Sequence, residues 1–339
     1  MAPWSVILRA DGSSSIGIGH VMRCLSLAAG IRRAGGKPLL LTRSGPELER
    51  GSAVPVELLA EGLAEAQDAA STLEAARAHD ARLVVVDHYA LGPGWWERVA
   101  SRLSLLVIDD EGRPGTGTEV DLVLNPNMGA RTSWYPGRAL CGARYALLRE
   151  EFLARRSNRE THGTVRRILV TLGGADPENL SPMVLRSLAR VSGGIEIDLV
   201  IGPAFRDQEA IMRQAGLDRR VRVQGGELAT RMAEADLAIT AGGSTLYECA
   251  CLGLPALVIQ TAPNQGASCR AMAEAGVILF LGPASQTDEA GLGRSVELLS
   301  ADPTQRARMR EAGMMLVDGR GAERVAWELA RLVESAQHT

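Results

Sequence analysis

The stretch Ser5-Val-Ile-Leu-Arg9, followed by Asp11-Gly-Ser-Ser-Ser-Ile-Gly-Ile-Gly-His20 and by the Ala- and Leu-rich run 21–34, decides the fold. A short run that does not alternate polar with apolar reads as a strand covered on both faces, and the run after the loop has helical spacing. A glycine-rich turn joining strand to helix is the opening of a parallel βαβ unit. The unit repeats. Runs 38–42, 83–87, 104–109 and 120–125 are further strand candidates, with helical patterns at 63–79 and 93–103 between them.

Residues 153–165, LARRSNRETHGTV, are the most polar and least periodic stretch of the chain and read as a linker. Strand candidates then resume at 167–171, 195–201, 221–224, 236–240 and 256–260. Helical patterns lie at 180–191, 207–215, 227–234, 245–252 and 265–275, and the tail at 288–300, 303–317 and 322–335 is all helical. The expectation is an α/β protein of two Rossmann-like domains with parallel sheets facing a cleft. Residues 1–152 form the first domain, and residues 166–339, tail included, form the second. A length of 339 residues suits two cores. Such folds hold ligands at the carboxyl ends of their strands.

Composition removes several classes. Lys and Arg number 37 against 40 Asp and Glu, for a net charge of −3, so there is no cation surplus with which to bind nucleic acid. No run approaches the roughly 18 apolar residues of a membrane span, and the N-terminus lacks a signal-peptide pattern, so a cytoplasmic protein is expected. The oligomeric state is left open, a monomer being sufficient. Five cysteines without a C-x-x-C spacing indicate neither a disulfide framework nor a zinc site, and Cys249 and Cys251 read as buried thiols. The single lysine, Lys37, completes no P-loop and is poorly placed for pyridoxal phosphate. Met22 stands where a dinucleotide fingerprint needs its last glycine, and the second strand ends in Thr42-Arg43-Ser44 without an acid for the ribose. No nicotinamide cofactor is expected, and no other cofactor is called for. Asp87-His88-Tyr89 and Asp109-Asp110-Glu111 group His with carboxylates but lack fixed ligand spacing, so loop capping or polar substrate contacts are expected rather than a metal. Trp95-Trp96 reads as packing, and Arg155-Arg156 as a solvated segment.

Two loops carry candidate chemistry. Gly17 and Gly19 allow close backbone approach, and His20 stands at the start of a helix, where imidazolium is disfavoured. That suits a proton acceptor; the alternative is a histidine that merely caps its helix. Thr240-Ala-Gly-Gly-Ser-Thr-Leu-Tyr-Glu248 also runs from a strand into a helix. There the N–H groups of Gly243 and Ser244 and the hydroxyls of Ser244 and Thr245 can cradle a diphosphate, with Glu248 one turn on to accept from a ribose. The alternative is an ordinary N-capped helix with an acid in its first turns.

The ordered set RADGSSSIGIGHVMRCL (9–25), VVDHY (85–89), IDDE (108–111), LVLNPN (122–127), CGARYALLREEF (141–152), GGSTLYE (242–248) and PNQ (263–265) resembles one family. It is the UDP-2,4-diacetamido-2,4,6-trideoxy-β-L-altropyranose hydrolases of pseudaminic acid biosynthesis, a step toward flagellin glycosylation. The resemblance implies the two-domain GT-B fold and a UDP-sugar substrate. It also implies cleavage at the anomeric carbon to UDP and free sugar without a metal. By motif, the family's catalytic histidine falls on His20, its substrate arginine on Arg149, its nucleotide glutamate on Glu248, its cleft asparagine on Asn264 and its tyrosine on Tyr89. Cys24 departs from the pattern, since some members carry an acid there. A GT-B glycosyltransferase using a UDP-sugar donor and a non-catalytic UDP-sugar-binding protein are the competing readings.

Overall fold

The computed structural model describes residues 4–12, 18–43, 54–112, 120–156, 163–202, 205, 207–224 and 228–336. The chain divides into two compact units, Met1–Glu150 with Gly319–Thr339, and Glu151–Asp318.

The first unit carries strands β1 (Trp4–Ala10), β2 (Gly36–Thr42), β3 (Val56–Leu58), β4 (Ala81–Asp87), β5 (Ser104–Ile108), β6 (Leu122–Asn125) and β7 (Ala139–Cys141). They form one parallel sheet in the order β3-β2-β1-β4-β5-β6-β7. Helices α1 (Gly19–Arg33), α2 (Glu65–Ala78) and α3 (Pro93–Ala100) connect its strands. Successive side chains of a strand point to opposite faces. On β4, Leu83 and Val85 accordingly join a core with Val21, Leu27 and Ile31 of α1, while Val84 and Val86 join another with Ala69 of α2 and Trp95 and Val99 of α3. Both faces are covered, which is why these strands are continuously apolar. Trp95 and Trp96 are buried packing residues, as their place in a crossover helix suggests.

The sequence-based division is corrected at the tail. Helix α12 (Gly321–Ala336) packs Val325, Ala326, Leu329 and Val333 against the α1 side of the first sheet, although the tail had been expected with the second domain. Gly30 makes this approach feasible, because a Cβ there would lie 2.6 Å from the Ala322 carbonyl oxygen. Helix α4 (Glu150–Arg155) also extends into the expected linker, and residues 157–162 of that linker lie outside the described residues.

A charged network lies under the carboxyl end of β1. The Arg9 guanidinium is fully buried and donates to Asp68 at 3.1 and 2.7 Å and to Asp11 at 2.5 and 2.8 Å. Trp95 Nε1 donates to Asp68 at 2.9 Å, and Arg43 Nη2 reaches the same carboxylate at 2.5 Å. Burial alone would raise the Asp68 carboxyl, but the bonds and charge of Arg9 outweigh it and hold it below its ordinary value. Its contribution to stability is therefore full above the ordinary carboxylate range and is lost as the pH falls through the lower folded value. Asp68→Ala strands Arg9 without half its counter-charge and should cost about 3–5 kcal/mol, read as a lower urea midpoint at neutral pH.

The second unit carries β8 (Arg167–Thr171), β9 (Glu196–Val200), β10 (Val221–Gln224), β11 (Leu237–Ala241), β12 (Ala256–Gln260) and β13 (Leu279–Pro283). Its sheet is parallel in the order β10-β9-β8-β11-β12-β13. Helices α5 (Ser181–Ala189), α6 (Gln208–Ala215), α7 (Leu228–Glu234), α8 (Thr245–Leu252), α9 (Gln265–Glu274), α10 (Glu289–Ala301) and α11 (Pro303–Leu316) complete the unit. Arg156 is not the solvated residue expected. It donates to the carbonyls of Cys251 at 2.8 Å, Val317 at 2.6 Å and Met314 at 2.5 Å, closing the carboxyl ends of α8 and α11. Cys249 and Cys251 are buried, and burial raises both thiols.

Candidate active site

Strand order reverses between β1 and β4 in the first unit, so the loops that follow these two strands diverge and leave a crevice at their carboxyl ends. His20 arrives there from the β1–α1 loop and Asp87 from the end of β4. His20 Nδ1 lies 2.6 Å from Asp87 Oδ1, both residues being buried. Nδ1 also lies 3.1 Å from Arg23 Nη2, which can only donate, but the shorter contact to the carboxylate favours Nδ1–H donated to Asp87, with Nε2 as the acceptor. The sequence reading relied on the helix N-terminus alone to set this ring; the structure adds the carboxylate.

Arg23, one turn along α1, welds the arrangement. Its Nε and Nη2 donate to Asp87 at 2.9 and 2.7 Å, and its Nη1 donates to both oxygens of Asp110 at 2.7 and 2.8 Å. Asp110 accepts in turn from the Tyr89 hydroxyl at 3.1 Å and from Asn127 Nδ2 at 3.3 Å. Burial would raise Asp110, but Arg23 outweighs it and holds the carboxyl below its ordinary value. Burial and the Asp110 charge push the Tyr89 phenol up, so Tyr89 remains a donor. Its ring stands edge-on to His20 with centroids 4.5 Å apart, and the residue is 43% exposed. Tyr89 thus borders the histidine while keeping solvent access. Next door, His88 Nδ1 accepts from the Ala90 N–H at 3.0 Å, and its Nε2–H donates to Asp11 at 3.0 Å. Cys24 is buried in the apolar core, and burial, with the nearby Asp87 charge, raises its thiol.

Gly17 lies outside the described residues. Gly19 is the first residue of α1, with open space where a Cβ would stand. Arg149 is half-buried between a 3-10 turn (Ala143–Tyr145) and α4.

In the second unit the reversal lies between β8 and β11. The loop after β11 brings Gly243, Ser244 and Thr245 to the N-terminus of α8, with Glu248 buried in the first turn. Ser244 occupies the cap position without a side-chain cap bond, which disfavours the plain capped-helix reading. Among the described residues, neither its hydroxyl nor that of Thr245 has a partner, and the N–H groups of Gly243 and Ser244 have no acceptor. This is a vacant set of donors at a helix N-terminus. Asn264 stands at the N-cap position of α9, without a side-chain cap bond, on the neighbouring loop, which Gln265 Oε1 ties down by accepting from Thr261 N at 2.8 Å and Ala262 N at 3.3 Å. Gly242 permits the two loops to meet: a Cβ there would lie 2.5 Å from Cys269 Sγ. The other glycine turn, after β8, is structural. Asp176 accepts from Leu180 N and Ser181 N, both at 2.9 Å, and so starts α5.

Sequence reasoning named the D-H-Y and D-D-E clusters without seeing that Asp87 orients His20 or that Arg23 joins Asp87 to Asp110. One signal was available: Arg23 follows His20 by three residues and shares its helix face. Among the described residues, no group of three or more His, Cys, Asp or Glu could hold a metal ion, and no helix is long and apolar enough to cross a membrane.

Two parallel, doubly wound sheets of seven and six strands define the chain as an α/β protein of the GT-B type. The crystal structure of Acinetobacter baumannii MurG superposes with a TM-score of 0.69 at 15% identity, over 97% of this chain and 100% of that one. The spore coat polysaccharide biosynthesis protein SpsG of Bacillus subtilis is 34% identical over 198 residues, 57% of this chain and 58% of the relative. UDP-2,4-diacetamido-2,4,6-trideoxy-beta-L-altropyranose hydrolase of Campylobacter jejuni is 29% identical over 194 residues, 55% of this chain and 66% of the relative, which meets the resemblance read from the ordered motifs. The chain therefore spans between about half and two thirds of the length of these curated relatives. No family model matches it.

Proposed function

We propose that the chain is a UDP-sugar-processing enzyme and, more narrowly, a hydrolase. It would cleave a UDP-linked 2,4-diacetamido-2,4,6-trideoxy sugar to UDP and the free sugar. The observation that carries this reading is the 2.6 Å bond from His20 Nδ1 to Asp87, which leaves Nε2 as the proton acceptor of a partly exposed site. Water aimed at the anomeric carbon gives its proton to Nε2. Its oxygen bonds to C1, and the C1–O bond to the β-phosphate breaks, with the electron pair leaving on UDP. Negative charge builds on the departing diphosphate, and the open N–H groups of Gly243 and Ser244, with the hydroxyls of Ser244 and Thr245, are suited to stabilise it. Glu248 accepts from the ribose; Tyr89, as a donor beside His20, and Asn264 orient water or sugar hydroxyls; Arg149 holds a substrate oxygen. UDP needs no protonation to leave, so a single base suffices. The ordered motifs and the similarity to the Campylobacter jejuni relative support the choice of sugar.

The reading is tested by incubating the purified protein with a panel of UDP-linked amino sugars under chelation and following UDP by chromatography. Release of UDP with water as the only acceptor is expected. Release only after a sugar or lipid acceptor is added would make the chain a glycosyltransferase, and UDP binding with no release would make it a carrier. Glu248→Ala should weaken UDP binding about tenfold in calorimetric titration while saturated turnover falls less; unchanged affinity would reject the ribose assignment.

A further inference from the structure

A second cavity, of about 180 Å³, lies within the second unit at the opposite edge of its sheet from the α8 N-terminus. It opens where β8, β11 and β12 begin rather than where they end. Four guanidinium-bearing residues, Arg155, Arg166, Arg306 and Arg310, line it against a single carboxylate, Asp236. That carboxylate is already engaged, since its Oδ2 accepts from the backbone N–H groups of Arg166 at 2.8 Å and Arg167 at 3.0 Å.

Arg306 is the telling residue. It is 2% exposed, and the bonds described for it are all to backbone carbonyls. Its bonds go to carbonyls: Nη1 donates to Leu299 at 2.8 Å and Ser300 at 2.6 Å, and Nη2 to Gly163 at 2.5 Å. Carbonyl dipoles hold the group in place but leave its positive charge in the cavity wall. Burial pushes the Arg306 guanidinium below its ordinary value, with Asp236 and Asp302 acting the other way from a distance. Capping the α10 carbonyls explains two of the bonds of Arg306, and the third goes to Gly163. It does not explain why three more arginines converge on the same void.

We infer that this cavity is an anion site for a small phosphorylated ligand of diphosphate size, separate from the nucleotide loop of α8. A void of about 180 Å³ has room for a diphosphate. Guanidinium groups are the side chains best matched to phosphate oxygens, which they hold through paired N–H donors. The inference is independent of the hydrolase reading, because none of the lining residues belongs to the α8 or α9 loops.

The test uses inorganic pyrophosphate as the probe on the full chain. Saturable binding is expected in calorimetric titration, weakened about tenfold or more in the double variant Arg166→Ala/Arg310→Ala, which spares the buried Arg306. UDP affinity should be the same in that variant as in the parent protein. Hydrogen exchange on the unsubstituted protein locates the anion without relying on any variant's folding: pyrophosphate should slow exchange at 163–167 and 252–254. Absence of saturable binding, equal affinity in the double variant, or protection confined to 242–246 would each overturn the site.

Discussion

Replacing His20 by alanine is expected to lower kcat for UDP release by about 10² or more while UDP affinity stays unchanged. The effect is large because Nε2 is the atom assigned to the water proton, and among the described residues no other imidazole of the crevice can replace it. His88 borders the same crevice, but its Nδ1 accepts from Ala90 and its Nε2–H is spent on Asp11. Fold and nucleotide loop should be undisturbed, since Gly243 to Glu248 lie in the other unit. Steady-state kinetics with a UDP-linked diacetamido sugar provide the measurement, and parental turnover in the variant would take His20 out of the mechanism.

The second large effect belongs to Asp87→Asn. An amide is close in shape to the carboxylate but no longer demands Nδ1–H, so the ring can present the wrong tautomer to the water. Loss of the orienting carboxylate in a comparable His–Asp pair costs up to about 10⁴ in kcat, and a fall of about 10²–10⁴ is expected here with little change in KM. Asp87 also accepts two bonds from Arg23, so circular dichroism must first show the variant folded. Turnover within about threefold of the parent would mean that Asp87 only shapes the loop.

Much of the frame was legible because strands buried on both faces leave a plain trace. The apolar runs at β1, β4 and β5 and the glycine turns after β1 and β11 led directly to the two sheets and to both candidate loops. Of the four edge strands only β10 was read, at 221–224; β3, β7 and β13 are short or interrupted, being Val56-Glu-Leu58, Ala139-Leu-Cys141 and Leu279-Phe-Leu-Gly-Pro283. An edge strand has one neighbour and less burial to enforce a pattern. The place of α12 was also hidden, because amphipathicity says that a helix has an apolar face and not which core that face completes. His20 and Glu248 could be singled out from their loops. The carboxylate that orients His20 lies 67 residues away in sequence, and only strand order brings it to the same crevice. Arg306 carried no sequence signal either, since its meaning depends on carbonyls from α10 and from Gly163.

The account rests on a solvent molecule, deprotonated at His20 Nε2, becoming the new hydroxyl on the sugar. Turnover in water labelled with heavy oxygen reads this directly by mass spectrometry of both products. The label is predicted in the freed sugar at C1 and absent from UDP, with incorporation lost in step with rate in His20→Ala. Label in the β-phosphate of UDP would show attack at phosphorus instead and would contradict the account.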